Sequence, residues 1–183
     1  MLFQTDRLIL RAYTPDDVDR LYEIWSDPEV CELCFSTVAG PMTRDFVVAT
    51  VLAWLDAPSF FAIIEHKKTG ECIGQVGLLR RDIGSDQASL GMTLAPEYSG
   101  RGYGTEVLRW LVGFGFRELQ LYRIYLHVFE GNAKAIGLYR KIGFIHERTS
   151  TERRFVQKRW QAIDLMSILE NEWDHGRNCR LEF

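Results

Sequence analysis

The order of hydrophobic runs predicts an α+β fold, a mixed and mostly antiparallel sheet of about six or seven strands with helices on both faces. Three observations carry that expectation. Two β-rich runs, residues 60–65 and 72–80, flank the turn Lys67-Lys68-Thr69-Gly70 and read as a hairpin. Further along, short apolar strands alternate with helical patterns, so the sheet must be covered by helices. A glycine-rich stretch, Ser99-Gly100-Arg101-Gly102-Tyr103-Gly104, then opens directly into an amphipathic run beginning at Thr105.

Taken in order, residues 7–13, with Leu8-Ile9-Leu10 at their centre, read as a first strand. Thr14-Pro15-Asp16-Asp17 carries a capping hydroxyl, a proline at the first helical position and acid in the first turn, so a helix starts there. It runs to about Trp25, where Ser26-Asp27-Pro28 stops it. Thr43 caps a second helix through Leu55, with Val47, Val48, Val51, Leu52 and Leu55 on one stripe. Residues 27–42 between them read as irregular. After the hairpin, residues 88–94 form a strand ended by Pro96. A helix spans about 103–119, a strand 124–128, and a short helix 133–141. Strands at 144–148 and 159–167 complete an antiparallel end.

Composition narrows the function classes. The 183 residues suffice for a substantial core; residues 1–173 read as one domain and residues 174–183 as a polar, mobile tail. A net charge of −3 speaks against a dedicated nucleic-acid binder. No apolar run is long enough to span a membrane, and the N-terminus lacks a signal-peptide pattern. Cys31-Glu32-Leu33-Cys34 is a CxxC without a second pair or a histidine at zinc spacing, so no metal site is expected and the thiols read as packing groups. Few, unpatterned cysteines fit a reducing cytoplasm.

The glycines at 100, 102 and 104 free backbone N–H groups to converge on one concavity, and the helix that follows adds its positive dipole end. Such a loop suits a phosphate or pyrophosphate. By itself it could equally be a glycine-rich turn, since it is neither GxGxxG nor a P-loop. A second segment, Asn132-Ala133-Lys134-Ala135-Ile136-Gly137-Leu138-Tyr139-Arg140-Lys141-Ile142-Gly143-Phe144, decides between these readings. The two stretches resemble motifs A and B of the GNAT superfamily of acyl-CoA-dependent N-acetyltransferases. The likeness is strong over about residues 87–144. More loosely, Thr5-Asp6-Arg7-Leu8-Ile9-Leu10-Arg11 and Leu169-Glu170-Asn171-Glu172-Trp173 resemble the RimJ/RimL ribosomal-protein acetyltransferase subgroup.

The resemblance implies a V-shaped splay between central strands that admits acetyl-CoA as co-substrate. It places the pyrophosphate on Gly100, Arg101, Gly102, Tyr103, Gly104 and Thr105, and the pantetheine arm along Met92-Thr93-Leu94, added like a missing strand. A main-chain N–H there would polarise the thioester oxygen. Asn132 is expected to cap the short helix and touch the same arm. Tyr139, with an ordinary phenol pKa of ~10, is the candidate acid for the departing thiolate. Ser99 departs from the Gln or Arg usual in the family.

The base is less clear from sequence. Family members carry Glu where this chain has His127, or an acid where it has Ser89. His127 is the candidate base, against the alternative of a strand histidine satisfied by its neighbours. Water suffices for an α-amine of pKa ~7.7–8.0 but not for a lysine near ~10.4, which leans the acceptor toward a protein or peptide N-terminus. Phe35, in the irregular segment, is the candidate acceptor-site residue. Direct attack in a ternary complex is expected, since no cysteine holds a motif position. The rivals are a small-molecule amine acetyltransferase and a non-catalytic acyl-CoA-binding module; a homodimer is left open.

Overall fold

In the computed structural model the described residues are 2–34, 41–57, 59–80, 82, 84–156 and 158–173. They form one sheet of eight strands: β1 (Leu2–Gln4), β2 (Leu8–Arg11), β3 (Ser59–His66), β4 (Cys72–Arg80), β5 (Gln87–Leu94), β6 (Arg123–Phe129), β7 (Ile145–Val156) and β8 (Arg159–Leu169). Their spatial order is β1-β2-β3-β4-β5-β6-β8-β7. Every neighbouring pair is antiparallel except β5 and β6. The helices are α1 (Val18–Ser26), α2 (Pro28–Cys34), α3 (Arg44–Asp56), α4 (Tyr103–Arg117) and α5 (Ala133–Ile142). Among the described residues no helix is long and apolar enough to cross a membrane.

Strand alternation sends side chains to two cores. Ala62 and Ile64 of β3, Val76 and Leu78 of β4, and Ile124 and Leu126 of β6 meet Val107, Leu108 and Leu111 of α4. Ile63 of β3 instead meets Leu21, Ile24 and Trp25 of α1 and Val47 and Val51 of α3. Helices therefore cover both faces, as expected. A fork of ion pairs ties α1 to the sheet. Arg11 of β2 donates to both carboxylate oxygens of Asp17, at 2.8 and 2.7 Å, and to Glu65 of β3 at 2.6 Å. Burial opposes the charge on Asp17, but the bonds from Arg11 and Thr14 outweigh it and hold the carboxyl below its usual range.

Several boundaries differ from the sequence expectation. The sheet has an eighth strand, β1, whose three residues are too short for any periodicity to register. Tertiary contacts hold it: Phe3 packs its ring 5.0 Å from Trp110 and 5.1 Å from Phe114. The segment expected to be irregular contains α2. Asp27 stops α1, and its carboxylate then caps the next helix by accepting from Glu29 N and Val30 N at 3.0 and 3.2 Å. The residues that end one helix thus start another, with Pro28 in its first turn. The α3 stripe is narrower than expected: Val47 and Val51 are buried, whereas Leu52 and Leu55 are 47% and 48% exposed. The apolar residues of α3 lie on two sides, and only one side meets the sheet. The tail expected at 174–183 lies outside the described residues.

Candidate active site

Strands β5 and β6 are hydrogen-bonded partners only at their first residues, Gln87 with Arg123, Ala88 with Ile124 and Ser89 with Tyr125. Beyond that point β5 stays on β4 as far as Leu94, and β6 stays on β8 as far as Phe129. The two strands part, and Leu90–Leu94 is left with an edge that no strand fills. The V expected between central strands is this opening. A cleft of about 1150 Å³ occupies it, lined by Met92, Thr93, Leu94, Gly100, Gly102, Gly104, Thr105, His127, Asn132 and Tyr139. Ten residues singled out from sequence thus meet in one place.

At one mouth of the cleft the glycine loop turns into α4. Gly100 and Gly102 have φ of +74° and +84°, the left-handed region that favours glycine, and a Cβ on Gly100 would point into open space. Gly102 is the N-cap, and the carbonyl of Gly102 accepts from Glu106 N at 3.1 Å. The N–H groups of Tyr103, Gly104 and Thr105 precede that bond and are the donors a helix start leaves over. A loop of this shape fits a pyrophosphate, and the open edge of β5 fits an extended amide-bearing arm. Gly104 has a packing job besides its place in the loop. A Cβ there would lie 3.1 Å from Leu138 and 3.5 Å from Leu94, so this glycine allows α4, α5 and β5 to pack closely. The side chains of Arg101 and Tyr103 do not line the cleft: Arg101 lies 5.9 Å over the Tyr98 ring, and the Tyr103 hydroxyl meets His66 Nε2 at 3.1 Å.

Sequence reasoning missed the brace behind this loop. Glu106, in the first turn of α4, accepts from Thr5 Oγ1 at 2.5 Å, from Arg7 N at 2.8 Å and from Arg7 Nε at 2.6 Å. Arg7 also donates to the carbonyl of Arg101 at 3.1 Å and lies 4.2 Å over the Tyr103 ring. Burial works against the Glu106 charge, yet the bonds from Thr5 and Arg7 keep its carboxyl below its usual range. The β1–β2 turn therefore holds the loop in shape. Thr5-Asp6-Arg7 was the only sequence signal for it, and a motif does not say what it touches.

On the facing side, Asn132 caps α5 by accepting from Ala135 N at 3.1 Å, as expected. Tyr139 is half-buried on the same helix, with its ring 5.9 Å from Phe144. Burial, helped by nearby Cys34, raises its phenol pKa well above the usual value, so it stays protonated at neutral pH. His127 stands on the β6 arm of the V, its ring edge-on to Tyr125 at 6.0 Å. Desolvation and then the charges of Arg148 and Arg123 lower its pKa, so at neutral pH it is uncharged and can accept a proton. Thr93 is fixed rather than free: its hydroxyl bonds Gln75 and accepts from Trp25 Nε1 at 3.3 Å. Met92 and Leu94 pack on the α4 core, so they carry structure as well as lining the cleft. Phe35 lies outside the described residues. Among the described residues no three His, Cys, Asp or Glu side chains gather to hold a metal ion.

A sheet parted between two parallel strands, with a main-chain cradle at its mouth and a protonated phenol inside, belongs to the acyl-CoA-dependent acetyltransferases. Residues 7–145 match the family model described as an acetyltransferase (GNAT) domain, and the chain belongs to that family. It is 30% identical over 172 residues to the uncharacterized N-acetyltransferase p20 of Bacillus licheniformis, covering 92% of this chain and 96% of that one. It is 33% identical over 101 residues to the spermidine N(1)-acetyltransferase of Vibrio cholerae, covering 55% of this chain and 58% of that one. The crystal structure of a Vibrio cholerae spermidine N-acetyltransferase in complex with CoA and spermine superposes with a TM-score of 0.79 at 25% identity, over 91% of this chain and 97% of that one. The protein is thus an N-acetyltransferase that uses acetyl-CoA and an amine acceptor.

Proposed function

We propose that the acceptor is the α-amine of a protein or peptide N-terminus, in the manner of the RimJ/RimL subgroup, and that transfer is by direct attack in a ternary complex. The observation that carries this reading is the set of charged groups lining the cleft. Among the described lining residues the only carboxylate is Glu29, which pairs with Lys134 at 3.3 Å. The base candidate is an imidazole whose pKa is already lowered. A polycation would need rows of carboxylates, and a lysine ε-amine would need a strong base. An α-amine of pKa ~7.7–8.0 needs neither, because a useful fraction is neutral at pH 7.

Acetyl-CoA supplies the acetyl group as a thioester. The chain's own groups then have three tasks. The glycine loop and the β5 edge hold the co-substrate so that its thioester faces the amine. His127 accepts the proton that the amine loses as the C–N bond forms, directly or through one water. Tyr139 gives its proton to sulfur as the C–S bond breaks, and regains one from solvent. The phenol is protonated at neutral pH, so its proton is available as charge builds on sulfur.

Likeness to spermidine N-acetyltransferases supports a second reading, a small polyamine acceptor. Thiol release measured against peptides with free and blocked N-termini, lysine peptides and spermidine separates the two. The proposed reading expects free N-termini to give the highest kcat/KM. Spermidine turned over ~10-fold better than every peptide would reverse it.

A further inference from the structure

Two glycines lie directly opposite each other in the middle of the sheet. Gly77 of β4 is the register partner of Gly91 of β5. A paired glycine step in central strands weakens a sheet unless something must come close. Here that object is the indole of Trp54, on the last turn of α3. A Cβ on Gly77 would fall 2.6 Å from Trp54 Cζ3, and one on Gly91 would fall 3.0 Å from Trp54 Cη2. The indole therefore rests in a notch that only a glycine pair leaves, with Phe61 tilted against it at 5.9 Å.

This notch opens on the cleft, beside the unpaired edge of β5 and on the sheet face opposite α4. Beside it lie uncharged Thr50 of α3 and the Gln75–Thr93 pair of β4 and β5, which is already bonded to itself and to Trp25 Nε1; Val30 and Leu33 of α2, Phe61 of β3 and Phe129 of β6 give the same cleft its apolar lining. A wall of this kind takes an apolar group and rejects a charge that it cannot pair. We infer that Trp54, seated on Gly77 and Gly91, is the floor of the acceptor pocket and selects primary amines that carry an apolar group next to the reacting nitrogen. For an N-terminal acceptor this means a first residue with an apolar side chain. The inference rests on the acceptor reading above only for the word N-terminal; the floor itself concerns any amine.

The experiment uses the full chain and peptides that differ only at residue 1: Leu, Met, Phe, Gly, Asp and Lys. Two small amines, 2-phenylethylamine and ethanolamine, run beside them. Apolar first residues are expected to exceed Gly, Asp and Lys in kcat/KM by ~10-fold or more, carried mainly by the peptide KM. Trp54→Ala deepens the pocket and should move the optimum toward Phe, with the KM for acetyl-CoA within ~2-fold of the original protein. Gly91→Ala displaces the indole and should erase the ranking. Trp54→Phe, a smaller change, keeps the test valid if either variant melts early. A flat ranking with the original protein overturns the inference. So does a Trp54→Phe protein whose KM for acetyl-CoA shifts as much as that for the acceptor. If no peptide reacts but 2-phenylethylamine outruns ethanolamine, the N-terminal reading fails and the floor stands.

Discussion

On one side of the parted strands, α4 and α5 deliver main-chain groups to the cleft; on the other, α1, α2 and α3 deliver side chains. The first side uses loop N–H groups, an open strand edge and a helix cap, all within residues 90–139. The second uses Trp25, Val30, Trp54 and Phe61, drawn from four separate elements. The contrast fits the two ligands. A co-substrate shared by every member of the family can be held by backbone, which every sequence has. An acceptor that differs between members must be recognised by side chains, which are free to vary.

The largest expected effect sits where the two sides meet. Tyr139→Phe keeps the ring and should lower kcat by ~10²–10⁴-fold while acetyl-CoA affinity stays close to normal. Stopped-flow thiol release with calorimetry of CoA binding measures both. A protein that turns over normally when chemistry limits would pass proton delivery to water. Next comes Asp17→Asn, which removes the anchor of the side-chain half. Leaving Arg11 without its fork should cost roughly 3 kcal/mol, read from a denaturant melt. Because the folded Asp17 pKa is lowered, its stabilisation is complete above the unfolded value of ~3.9 and is lost as pH falls through the folded one.

The main-chain half is tested by Gly102→Val. A β-branched residue at φ +84° is strained by ~1–2 kcal/mol, and its Cβ would lie 3.4 Å from Arg7 Nη2. Acetyl-CoA affinity should fall by ~10-fold or more, with the acceptor KM little changed. Equal changes in both would erase the distinction between the halves. Glu106→Gln is milder. It keeps the shape of the Arg7 brace and removes its charge, so the KM for acetyl-CoA should rise only several-fold at ~0.1 M salt and less at higher salt.

The last test, expected to cost ~10²-fold in rate, is also a matter of pH. His127 has a folded pKa below its ordinary ~6.5, so it is already neutral at pH 7 and the acid limb it causes lies below that value. Stability follows the same sign: the unfolded chain takes the proton first, and the folded state loses ground as pH drops below ~6.5. His127→Ala should remove the acid limb from kcat/KM. Survival of that limb would make the histidine structural and leave the amine's own ionisation in control.

Taken alone, the sequence determined what depends on neighbours in the chain. Asn132 three residues before Ala135 is a cap wherever the helix goes, Thr43 before Phe46 likewise, and glycines at 100 and 102 permit a turn that other residues resist. The two motifs carried the family and the co-substrate with them. Contacts between distant parts of the chain were decided only by the tertiary structure. Nothing in Glu106 announces Thr5 and Arg7, about a hundred positions away, and nothing in Trp54 announces a glycine pair on two other strands. The same holds for β1, which three residues cannot specify until Phe3 meets Trp110. It holds too for Gly104, which reads as part of the cradle and, in the fold, also packs three elements together. The physical reason is the range of the forces. Caps, turns and helix periods act over a few residues, so a sequence displays them directly. Packing and ion pairing act over a few ångströms in space, and the fold alone decides which residues come that close.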